Sequence, residues 1–114
     1  MDYKEVNAVC QPGDDVASRD WYAWNNKMPP GPARLIVTGI VTVGNPGVEP
    51  MLVIANPQGI NPSHLLLNIF LCQKPGKWPS VVVDKPVRFE QHSNPMYTHV
   101  DIVGGPSIEI FDAH

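Results

Sequence analysis

The sequence predicts an all-β fold: a small antiparallel β-sandwich of about seven strands with Greek-key, immunoglobulin-like wiring, preceded by an irregular or short-helical N-terminal arm. Three observations carry this expectation. Residues 34–111 form a succession of short β-branched and aliphatic runs in which apolar and polar side chains alternate. Proline and glycine cut those runs apart at roughly the 8–12-residue spacing of sandwich strands. No convincing helical period falls between them.

The strands follow in chain order. Arg34–Val43 sends Leu35, Val37, Val41 and Val43 one way and Arg34, Thr38 and Thr42 the other, the period-two pattern of a half-buried strand. Gly39 interrupts its apolar face, which marks a bulge or a close approach by a neighbour. Met51–Ala55 is a short apolar strand. Leu65–Gln73 is apolar on one face (Leu65, Leu67, Ile69, Leu71) and more than half apolar on the other, as a central strand would be. Ser80–Asp84, Val87–Gln91, Tyr97–Val103 and Ser107–Phe111 complete the set. Lys85-Pro86 is expected to separate two of these, and Gly104-Gly105-Pro106 the last two.

Residues 1–33 differ in character and read as an arm packed on a domain spanning residues 34–114. Within the arm, residues 15–26 are the single helical candidate. Asp14 or Asp15 would cap it, with Ala17, Trp21 and Trp24 at i, i+4, i+7 on one face. An irregular arm packed by its tryptophans is the alternative. The loops Asn45–Pro50 and Asn56–Pro62 read as one Asn-Pro connector used twice, since proline pre-sets φ for a turn.

Composition narrows the function. The 114 residues are 43% hydrophobic and 17% charged, which excludes whole-chain disorder and fits one domain. A net charge of −3 gives no basic footprint for nucleic acid. The longest strongly apolar run, Leu65 to Cys72, is broken by Asn68 and falls short of the roughly 18–20 residues of a spanning helix, so no membrane partner is expected. The first twenty residues lack the basic start and apolar core of an export signal, so a cytoplasmic location is expected. Cys10 and Cys72 are expected as two reduced, packed thiols, with a single disulfide as the alternative.

Three sets of residues carry candidate chemistry. Trp78, Trp21 and Trp24 are the ligand-binding candidates, because aromatic side chains stack on sugars and anchor partners. Glu90, His92, His99 and Asp101 are the metal candidates, if the strands on either side of Asn94-Pro95 form a hairpin that sets their faces opposite each other. Catalytic residues are not expected: no serine sits in a GxSxG elbow, and Ser63 and His64 leave alternate faces of one strand. The expected function is therefore that of a non-enzymatic protein acting through protein–protein contacts, with itself as a homodimer or with another protein, and without a cofactor. Carbohydrate or small-ligand binding through the tryptophans is the alternative, and a metal-assisted enzyme the second alternative.

Overall fold

The structure, a computed structural model, describes residues 9–13 and 15–113. The protein is all-β, with no helix among the described residues. Eight strands run β1 (Val9–Pro12), β2 (Ser18–Asn26), β3 (Arg34–Val43), β4 (Val48–Ile54), β5 (His64–Gln73), β6 (Val83–His92), β7 (His99–Ile102) and β8 (Ser107–Ala113). They form one curled sheet in the order β1-β5-β7-β8-β2-β3-β6, with β4 pairing β5. The sheet is mixed rather than wholly antiparallel, because β5–β7 and β2–β8 are parallel pairs.

β5 is the hub. β4 lies along it antiparallel over Leu67–Gln73. It also pairs with β7 over His64–Leu67 and with β1 over Phe70–Gln73. Its burial matches the both-sided apolar pattern: one face meets the core and the other carries mostly half-buried residues. The core gathers Leu35, Val37 and Val41 from β3, Leu65 and Leu67 from β5, and Val100 from β7, all essentially sealed from solvent.

Residues 15–26 are not helical. They supply β2, which lies between β3 and β8. The register slips between Arg19 and Tyr22, and Asp20 takes φ 58°, a left-handed conformation that aspartate tolerates better than most residues. Past the slip, Ala23 faces the core while Tyr22 stands 60% exposed. Trp21 packs on the core beneath Gly39, where a Cβ would lie 2.4 Å from its Cε3. Gly39 therefore marks the close approach of a tryptophan ring, and the bulge sits on the strand beside it. Asp14, one of the two helix caps expected, lies outside the described residues.

Lys85-Pro86 does not break a strand; both residues lie inside β6, with Pro86 opposite Ile40. Proline cannot donate to a ladder, yet β6 has a neighbour on one side only, so its unpaired edge absorbs the missing N–H. The same holds elsewhere. Each strand with a single partner carries one proline (Pro12 in β1, Pro50 in β4, Pro86 in β6), and the interior strands carry none. The two Asn-Pro loops also differ. Asn45 Oδ1 accepts from Gly47 N in the first, whereas Asn61, not Asn56, plays that part in the second by accepting from Ser63 N.

The cysteines are not reduced. Cys10 and Cys72 are register partners in β1–β5 and form a disulfide. All four residues of β1 are exposed, so little apolar burial holds this strand. The cross-link supplies what its side chains do not.

Candidate functional site

The site begins with a change of partner in β8. Ser107–Glu109 pair with β7, whereas Ile110–Ala113 pair with β2. The change falls at Ile110, whose N–H still donates to Thr98 O on the β7 side (2.9 Å). Around this change of partner lies a groove of about 650 Å³, lined by β8, the ends of β2 and β7 and the neighbouring loops. That volume lies within the range of small-ligand sites, about 300–1,000 Å³.

The groove's lining is part apolar and part polar. Pro95, Tyr97, Ile110 and Phe111 supply apolar surface, and Phe111 is 62% exposed. Among the polar residues Lys27 Nζ pairs with Asp112 Oδ2 at 2.9 Å. Asn25 Nδ2 donates to Asp112 Oδ1 (3.0 Å), and the Ser93 hydroxyl donates to Asn25 Oδ1 (2.8 Å). His99 and Glu109, register partners across β7–β8, also line the groove. Asn25 is in place because β2 runs parallel to β8 and aligns it with Asp112.

Behind His99 lies a second polar group. The parallel β5–β7 register sets His64 beside His99, and their rings stack with centroids 4.6 Å apart and planes 13° from parallel. His64 Nδ1 lies 2.9 Å from both Asp101 oxygens. The Ser107 hydroxyl donates to Asp101 Oδ1 at 2.6 Å, and Thr98 Oγ1 is 2.8 Å from His99 Nδ1. Burial works to raise the Asp101 carboxyl, but the bonds from Ser107 and His64 and the fields of the two imidazoles outweigh it and hold the pKa below its ordinary value. Chemically the cluster is a clasp across β5, β7 and β8. Ser107 gives its proton to the carboxylate, not to an imidazole, so it is not arranged as an activated nucleophile. Nearly parallel, stacked ring planes keep the two sets of in-plane lone pairs in separate layers that do not meet, and a chelate needs convergence. Among the described residues no group of three or more His, Cys, Asp or Glu is arranged to hold a metal ion.

The metal candidates are divided. No β6–β7 hairpin forms: β6 pairs with β3, and β8, β2 and β3 lie between it and β7. His99 and Asp101 therefore stand together on β7 while Glu90 and His92 lie on β6. There Glu90 pairs with Arg34 (3.3 Å) and with Arg88 (3.8 Å). His64, dismissed in the sequence beside Ser63, is the residue that joins His99 and Asp101 instead. Its partner is 37 positions away and is reached only through a parallel pairing, so no local signal marks it.

The three tryptophans rest on different supports. Trp21 fills the space beneath Gly39, with its indole N–H donating to Ser18 Oγ (2.9 Å). Trp78 lies over Gly47, where a Cβ would fall 2.3 Å from Cε2, and donates its N–H to Lys74 O at 3.0 Å. Both rings are held in place by these contacts, and Trp78 stays 40% exposed. Trp24 alone adjoins the groove: it is the register partner of Phe111 in the parallel β2–β8 pair. Phe111 was legible as the end of an alternating strand, but nothing in the sequence joins it to Tyr97 or Trp24. No protein-family model, no curated protein and no solved structure matches the chain.

Proposed function

We propose that the protein is a non-enzymatic recognition module that acts through protein–protein contact, made at the β2–β8 groove. The observation that carries this reading is Phe111, an aromatic side chain left 62% exposed in the lining of a groove where β8 changes partner. Exposed aromatics in partly enclosed sites are the anchors that dominate protein interfaces. The prolines of β1, β4 and β6 support contact through a groove rather than through a strand edge, because a partner strand would meet a missing donor on each edge. The two-layer, immunoglobulin-like reading of the fold belongs to the same proposal. It is supported by Lys85 of β6, at one end of the sheet path, which reaches Glu49 of β4 (3.1 Å), a strand that pairs only with β5. As a further part of the proposal we place the protein in an oxidising compartment, because the Cys10–Cys72 bond is of a kind that reducing cytosol removes.

Selection from a phage-displayed peptide library tests the function. Peptides should be enriched whose binding is lost on Phe111→Ser and Tyr97→Ser but retained on Tyr22→Ser, which lies outside the groove. If nothing is enriched and a glycan array binds instead, the contact reading falls to the carbohydrate one, which Trp24 beside Phe111 favours. Sedimentation over a range of concentrations shows whether a second copy of this chain is itself such a partner.

A further inference from the structure

The groove also carries a charge signature. Part of its polar lining is neutralised from within, because Lys27 and Asp112 form an ion pair that Asn25 and Ser93 extend. His99 is engaged by Thr98 and stacked on His64. Glu109 is different: it is exposed and has no hydrogen-bond or ion-pair partner among the described residues. Among the described residues it is thus the one uncompensated carboxylate of the lining, on a groove also lined by the rings of Tyr97 and Phe111. Other carboxylates on the sheet are matched, Asp84 by Arg19, Glu90 by Arg34 and Glu49 by Lys85 and Lys74. An unmatched anion beside aromatic faces favours a cation, which gains a charge-assisted hydrogen bond from the one and a cation–π contact from the other.

Resting on the contact reading above, we infer that the segment received by the groove is a peptide bearing a basic side chain, arginine in preference to lysine, between apolar residues. The guanidinium pairs with Glu109, and its plane lies against Tyr97 or Phe111. Arginine is preferred because its planar, weakly hydrated head stacks on an aromatic ring while still reaching a carboxylate, whereas an ammonium is a compact and strongly hydrated charge. The chain's net charge of −3 adds long-range attraction for such a segment.

The test uses fluorescein-labelled heptapeptides with proline and leucine flanks and a central Arg, Lys, citrulline or Glu, read by fluorescence anisotropy on the full chain. The Arg peptide should bind most tightly. Citrulline, its neutral isostere, should be weaker by about tenfold, the worth of one charged hydrogen bond, and the Glu peptide weaker again. Glu109→Gln should erase the Arg–citrulline difference while leaving the citrulline peptide bound, and Glu90→Gln on β6 should leave the difference intact. Equal binding of the Arg and citrulline peptides, still lost on Phe111→Ser, overturns the charge inference and leaves the contact reading standing. Binding of none of the four peptides, or binding indifferent to Phe111→Ser, overturns both.

Discussion

Trp21 and Gly39 are complementary: the indole on β2 occupies the volume that a side chain at position 39 of β3 would need, with Cε3, Cδ2 and Cζ3 all within 2.6 Å of where a Cβ would be. The register slip before Tyr22 turns the ring inward, so a bulge on one strand and a missing side chain on the next amount to one packing solution.

Gly39→Ala should destabilise the fold by about 1–3 kcal/mol through overpacking. In a Trp21→Ala background the same substitution should cost nothing, because the ring it meets is gone. Urea denaturation of the four proteins in a double-mutant cycle measures the coupling, and additive effects would show that the two positions do not share space.

The disulfide closes a loop with a sequence separation of 62. A Cys10→Ala/Cys72→Ala variant should lose about 4 kcal/mol on loop-entropy grounds. Reductant should cost the wild type a similar amount and the variant nothing, both read as shifts in the urea midpoint.

Acid should weaken the clamp over the β2 bulge. Arg19 bonds Asp84 at 2.7 Å and Thr42 bonds it at 2.8 Å, which lowers the Asp84 pKa from 3.8 to about 2. A carboxylate depressed on folding contributes stability that is present above its unfolded pKa and is lost as the pH falls through its folded one. The expected window therefore runs from 3.8 down to about 2. Asp84→Asn should flatten the pH dependence of thermal unfolding there, and added salt should shrink the difference because the pair is exposed.

Pro86→Thr should restore a donor to the outer edge of β6 at an exposed position and so permit edge-to-edge pairing. Sedimentation velocity should show concentration-dependent association in this variant beyond that of the wild type. No increase would mean that another feature, such as the charges of Lys85 and Arg88, guards this edge.

The strands were legible where the chain stays regular. β3 and β5 alternate as the pleat requires, and their limits match the apolar runs. β2 was hidden because its irregularity around Asp20 puts Trp21 and Trp24 at a spacing that also suits a helix. β6 takes in Val87–Gln91 but only the end of the expected strand Ser80–Asp84, since residues 80–82 are not strand. Pro86 reads as a break because proline usually ends a strand, and only knowledge that β6 lies at an edge removes that objection. Both parallel pairings were beyond reach, since alternation records which face a residue takes but not which strand lies beside it or in which direction it runs. The candidate site suffered most for that reason. His64–Asp101, Trp24–Phe111 and the groove itself all arise from β5–β7 and β2–β8.

The change of partner at Ile110 has a consequence for synthesis. β8 is the stitch between β7 and β2, so a nascent chain still lacking residues 107–113 holds two strand groups that no backbone ladder yet joins, with the Lys85 side chain reaching across from β6 to Glu49. Closure must await emergence of those residues from the ribosome. Chains stalled ahead of Ser107 should therefore be cut readily by protease, and resistance should arrive abruptly once Ala113 is clear of the exit tunnel.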